Sequence, residues 1–539
     1  MIKIDKSILF AFWGCDNNYL SVSENFYHPL KNIFKQVIKF DPQKYIYSLG
    51  KRKMNEKFIS LLKSKKPDYA FFWLIYDEFY ISTLINMKKY SPNTKFINLF
   101  GDDDTLFYNF SNYYSKFFDH NISLQNGFIK NYKKLKIDNV EFLWGINTSN
   151  FKPLEIDKEY DITFIGTPKE DRYEMIKYLI DSGVKVNIFG AGWEIYPDMR
   201  KFWKGRINNS DYIKVINKSK INLSFSKNYA GKPHYKIRTL EVLACKSFLL
   251  TEYFKGNLAF FKKGKEIIMF ENKEDLLNKV KYYLKNSYKR EKVAHASYKK
   301  VISILNIEKN LEAFFKNIEK NNSNLSFEFQ PLTDKTIGLD IKELKNDFSS
   351  IEEKLRNYQY IYFTQPGLFN SDYRLYFQIL ALKRFKTNIC CCDYYFWDNY
   401  LGDFMSFNTK HVLDNKIYKL KDVINLSQLM MTKDHFLKVF KEYKNNKESI
   451  LQLIKKQDIS FISIPLIRIP PKCEVIKKNL FNSYNLNFFY ENIKPMIYKK
   501  DPKIILYIIK LIYIDFKYNK RLISNYLIGK IIDKVRKLR

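Results

Sequence analysis

The chain has 539 residues, 46% hydrophobic and 17% aromatic, with 92 Lys and Arg against 57 Asp and Glu for a formal charge of +35. That length exceeds what one core serves, and so much apolar and aromatic material excludes a disordered chain. The positive charge suits a phosphorylated ligand or an anionic surface; no helix-turn-helix, zinc-finger or RNP pattern accompanies it, so nucleic acid is not an expected partner.

The six cysteines, Cys15, Cys245, Cys390, Cys391, Cys392 and Cys473, form no CxxC pair. They suit neither a disulfide framework nor a zinc site, and a reducing cytoplasm is the expected location. The first apolar run is too short to span a membrane and no small-residue cleavage site follows it. No uninterrupted 18-residue apolar span occurs elsewhere, so a soluble or peripheral protein is expected.

In chain order, strands are predicted at Ser7–Trp13, Tyr69–Leu74, Lys95–Phe100 and Val140–Trp144, with amphipathic helices at Asn55–Ser64 and Glu78–Lys89 between them. Such alternation predicts a parallel sheet covered on both faces, over residues 1–150. Asn147–Asp157 is polar, holds Pro153 and reads as a linker. A second α/β unit, 151–320, follows: strands at Asp161–Ile165, Lys185–Phe189, Ile221–Phe225, Ser247–Thr251 and Glu266–Phe270, and helices at Asp171–Ser182 and Tyr235–Ala244. Helices at Glu274–Lys285, Tyr288–Leu305 and Glu308–Ile318 are expected to close this second unit.

Residues 331–539 are predicted as an additional α/β domain, with strands at Tyr360–Thr364, Asn388–Cys392 and Phe461–Leu466. The stretch 503–539 carries ten Lys and Arg against Asp515 and Asp533, interleaved with Ile, Leu and Tyr. It is predicted as a basic amphipathic helix, either lying on an anionic membrane or packing on the domain.

Two doubly wound units make a cleft, and ligands in such sheets bind beyond the carboxyl ends of strands. The richest stretch for chemistry runs from Lys232 to Cys245. Lys236 and Arg238 stand at a predicted helix start, where basic side chains and the helix dipole favour a diphosphate. Glu241, one turn on, has the acceptor atoms for two ribose hydroxyls; a surface Glu–Lys pair on an ordinary helix is the alternative.

Ser219–Phe225, Lys236–Cys245, Phe248–Glu252 and Gly264–Ile268 resemble the CgeB-like glycosyltransferases of the GT-B "glycosyl transferases group 1" assemblage. Gly101–Asp104, Asn109–Ser111, Asp161–Gly166 with Arg172, and Phe189–Trp193 match in the same order, so the resemblance covers about residues 65–305. It implies an α/β, GT-B architecture of two facing Rossmann-like lobes with parallel sheets, an acceptor in the first and a nucleotide-sugar donor in the second. It implies that Gly166, Thr167 and Gly190 form loops under the donor, that Arg172 assists charge neutralisation, and that His234, Lys236, Arg238 and Thr239 surround the diphosphate. It further implies that Glu241 takes the ribose and that Thr251 and Glu252 touch the nucleotide. The activity implied is sugar transfer to a glycan, lipid-linked or protein acceptor, with a catalytically inactive scaffold or a nucleotide-sugar epimerase as alternatives.

This chain departs from the family at two places. Lys246 stands where glycine is usual, and Pro233 stands where a second glutamate, eight positions before Glu241, is common.

Asp102, Asp103 and Asp104 follow the strand Lys95–Phe100. Asp102 and Asp103 are the expected catalytic carboxylates on the acceptor side, with one of the three aspartates capping a helix over Thr105–Ser115. A metal is not expected there, because GT-B enzymes generally use basic residues and a helix dipole in its place; no cofactor is expected either. The six histidines form no HxxxH or HExxH pair, and His120 is predicted to face the cleft. Around Tyr360–Gly367 and Phe461–Pro465 the sequence faintly resembles the latter half of GT-A transferases, without the Asp-x-Asp expected near Thr364.

Overall fold

The computed structural model describes residues 3–12, 23–74, 78–168, 171–207, 209–228, 231, 233–320, 336–340, 347–364, 369–370, 374–398, 402–404, 418–419, 429–445, 453 and 458–469. The predicted basic segment 503–539, Cys15 and Cys473 lie outside the described residues.

The first lobe is a six-stranded sheet: β1 (Ile4–Phe12), β2 (Phe34–Phe40), β3 (Tyr69–Trp73), β4 (Lys95–Phe100), β5 (His120–Ser123) and β6 (Val140–Phe142). Its order is β2-β1-β3-β4-β5-β6, parallel throughout. The near-continuous apolar runs of β1, β3 and β4 follow from burial on both faces, as in any parallel sheet flanked by helices. β2 was not predicted: it is an edge strand whose Lys35 and Gln36 are exposed. β5 was not predicted because it spells His-Asn-Ile-Ser, yet all four residues are buried.

The second lobe is a five-stranded sheet of β7 (Tyr160–Ile165), β8 (Val186–Phe189), β9 (Ser219–Ser224), β10 (Leu249–Glu252) and β11 (Ile268–Phe270). Its order is β11-β10-β9-β7-β8, again parallel. The chain leaves β7 towards β8 and returns to β9 on the other side, so the crevice between β7 and β9 is the switch point of the sheet. The two-lobed, parallel α/β architecture expected of a GT-B fold is present.

The helix Ile307–Lys320 departs from expectation. It leaves the second lobe and packs on the first, its stripe of Ile307, Leu311, Phe314, Phe315 and Ile318 meeting Ile8, Phe10, Phe34 and Tyr69. Phe315 stacks edge-on against Phe34 at 4.8 Å and Tyr69 at 5.0 Å. Glu319 at its end receives Lys6 and the Tyr69 hydroxyl, and Lys95 donates to the Ile318 carbonyl at 2.8 Å. A helix that apolar along one side must cover a sheet face, and the first lobe supplies it.

Downstream, a mixed sheet joins Thr336–Asp340, Tyr360–Thr364, Leu429–Thr432, Ile389–Asp398 and Asp458–Ile469 in that spatial order. The helix Arg374–Phe385 ties it to the first lobe, with Phe377 against Tyr113 and Phe117. Among the described residues no helix is long and apolar enough to cross a membrane.

Candidate active site

Three second-lobe elements converge at the carboxyl end of β7. The Gly166–Thr167 turn leaves the strand, and Trp193 donates to the Gly166 carbonyl at 2.7 Å. Gly190 packs its backbone so tightly on this turn that a Cβ would stand 2.4 Å from the Gly166 oxygen; its φ of 122° independently requires glycine. Arg172 opens the helix Arg172–Asp181 and reaches back to the carbonyls of Thr167 and Lys227, both at 3.4 Å. It thereby ties the loops after β7 and β9.

The helix Ile237–Ala244 begins beside this crevice with Lys236 at its cap, without a side-chain cap on its first amides. Arg238 donates through Nη1 to the Ile165 carbonyl at 2.7 Å and through Nε to Glu241 at 3.1 Å. Its guanidinium lies over the Tyr212 ring at 4.7 Å. Glu241 is buried, and its Oε2 receives both Arg238 and the Tyr212 hydroxyl. The pair is therefore a fixed fork at the end of β7 rather than a surface ion pair. Nothing in the spacing pointed to Tyr212, which lies on the helix Asn209–Lys218.

Thr239 is buried on the inner side of its helix, and Thr251 within β10. Glu252 corrects the expectation that it touches the nucleotide. Its buried Oε2 accepts from the Ser226 amide at 3.0 Å, the Ser226 hydroxyl at 3.1 Å and the Lys227 amide at 3.3 Å, while Oε1 pairs with Lys227 at 2.8 Å. Its carboxylate is the anchor of the loop after β9.

That loop is the seam between the lobes. Asn228 donates to Asp104, His234 Nδ1 lies 3.1 Å from Asp104 Oδ2, and the Tyr235 amide donates to Gln125 Oε1 at 3.2 Å. Asn228 and Gln125 escaped the sequence reading because their partners are remote in the chain.

The three aspartates part company. Asp102 stays exposed at the cleft, although the protein closes round it. That enclosure and the charge of Asp104 push its carboxyl upward, opposed by His234 and Lys236. Asp103 turns inward, buried, and accepts from Ser123 and from Tyr132 at 3.0 Å. This corrects its assignment as a catalytic carboxylate: it is built into the first lobe, and burial pushes it up to about 7 despite those hydrogen bonds. Asp104 is the one that reaches the other lobe. Burial would raise it, but His234 and Asn228 outweigh that and hold its carboxyl below the ordinary range. Asp102 occupies the cap position of the following helix and offers its backbone carbonyl there, its side chain making no capping hydrogen bond. His120 also departs from expectation, since it starts β5, at the end of the sheet away from the cleft, and packs on Phe314.

Residues 172–316 match the family model described as glycosyl transferase-like. That segment holds Arg172, Gly190, His234, Lys236, Arg238, Glu241 and Glu252, and stops short of the Asp102–Asp104 run. No curated protein matches the sequence. Among solved structures, the Anabaena protein HepE in complex with UDP and glucose overlaps 59% of this chain and 100% of its own, at 10% identity and a TM-score of 0.44. A glycosyltransferase from Rickettsia africae overlaps 59% and 100% at 14% identity and 0.44. Sucrose-phosphate synthase from Thermosynechococcus elongatus overlaps 58% and 99% at 10% identity and 0.42. In the glycosyl transferase-like segment, Lys246 adopts a left-handed backbone at φ 51° and is exposed.

Proposed function

We propose that this protein is a glycosyltransferase that moves a sugar from a nucleotide-diphosphate-sugar to a glycan, lipid-linked or protein acceptor in bacterial surface glycoconjugate synthesis. The observation that carries this reading is the Arg238–Glu241 fork at the β7 switch point, inside the segment that matches the glycosyl transferase-like model. Departure of the nucleoside diphosphate places negative charge beside Arg238, Lys236 and the uncapped amides of the helix Ile237–Ala244, which stabilise it without a metal at the diphosphate. With Oε2 of Glu241 committed to Arg238, its Oε1 is left for the ribose hydroxyls. The acceptor enters from the first lobe, past Asp102. The protein works in the cytoplasm, where the basic stretch 503–539 can rest on an anionic membrane face.

The test is calorimetry with a panel of nucleotide sugars, followed by transfer or donor hydrolysis with the one that binds. Arg238→Ala and Glu241→Ala are each expected to lower turnover about 100-fold or more, the scale of losing one preorganised charge contact. Unchanged turnover in both would sink the site. Binding without turnover in the wild type would make the protein a scaffold, and sugar conversion without acceptor would make it an epimerase.

A further inference from the structure

We propose that Asp102, Asp104 and His234 form a divalent-cation site that joins the two lobes. One ligand atom from each of the three lies within 4.8 Å of the others. Asp102 and Asp104 come from the turn after β4 in the first lobe, and His234 from the loop after β9 in the second. The set is complete only when the lobes meet.

The side chains look like ligands awaiting a common partner. Asp104 is 8% exposed, and its Oδ1 has no hydrogen-bond partner among the described residues. His234 is 11% exposed; neither of its ring nitrogens is in an aligned hydrogen bond among the described residues, although Nδ1 stands 3.1 Å from Asp104 Oδ2. A close contact without N–H alignment is poor hydrogen-bond geometry. It is good ligand geometry: two atoms about 2.1 Å from an octahedral ion, at right angles, sit about 3 Å apart.

The charges agree. Two carboxylates gathered beside one imidazole concentrate negative charge in one place. A cation relieves that. Mixed carboxylate and imidazole donors suit Mn2+, Fe2+ or Zn2+, and three protein ligands leave positions for water or a substrate oxygen. The Asp-x-Asp pair is legible in the sequence, where no metal is expected; its third donor, His234, is remote in the chain and joins it only in the fold.

The test strips the full-length protein with a chelator and titrates it with MnCl2, reading free Mn2+ by electron paramagnetic resonance. The wild type is expected to take up one Mn2+ per chain. Asp104→Asn and His234→Ala are each expected to weaken uptake at least tenfold. Asp102→Asn, at an exposed position that folding tolerates, should do the same and guards against loss through misfolding. Absence of saturable uptake by the wild type overturns the proposal, as does equal uptake by the Asp102→Asn/His234→Ala double variant. No sugar enters the measurement, so its failure leaves the donor-site reading standing, and failure of Arg238 and Glu241 variants leaves this site standing.

Discussion

Asp103 shows how a single residue can mislead a motif. Flanked by two aspartates that reach the cleft, it folds inward to Ser123 and Tyr132, because a short helix turn sends successive side chains in different directions. Its pKa carries a stability consequence with a definite sign. A carboxyl raised to about 7 in the fold, against about 4 unfolded, is protonated in the native state between those values. Its contribution is complete below about pH 4 and is lost as pH rises through about 7. Asp103→Asn, which cannot ionise, should therefore gain stability relative to wild type from about pH 4 to pH 8, by at most roughly 4 kcal/mol. Parallel thermal melts across that range check it; a constant gap would refute it. Arg238 is legible from sequence as a basic residue near a helix start, whereas its fork is not. The Ile165 carbonyl and Tyr212 ring that fix it belong to other elements.

Among the elements, the loops at the carboxyl ends of β7, β8 and β9 hold the site together. Gly190 against Gly166 is the tightest point, and Gly190→Ala should destabilise the second lobe by about 2–4 kcal/mol, read as a lowered melting temperature. Lys246 is the converse case. Its left-handed backbone costs a side chain energy that glycine avoids, so Lys246→Gly should stabilise by about 0.5–1 kcal/mol without changing donor binding. A loss of stability there would mean that the lysine side chain makes a contact of its own. Strand prediction succeeded where burial on two faces leaves a plain apolar run, as in β3 and β4. It failed at β2, whose edge position admits lysine, and at β5, whose buried polar groups look like a loop until their hydrogen bonds are seen.

At the scale of the whole molecule, the helix Ile307–Lys320 follows the second lobe in the chain and buries Phe314 and Phe315 on the first. Phe315→Ala should cost about 3–5 kcal/mol and lower the melting temperature of the first lobe, because the ring is fully buried between Phe34 and Tyr69. Donor affinity, set in the second lobe, should hardly change. The sequence by itself determined two α/β units, their parallel sheets and the stretch that holds Arg238 and Glu241, because apolar period and loop chemistry are local properties of a chain. Tertiary structure alone decided that Asp104 and not Asp103 meets His234, that Glu252 anchors a loop, and that the last helix of the second unit serves the first. Those outcomes depend on where distant elements are set down by packing, and no spacing along the chain encodes the direction of a side chain across a cleft.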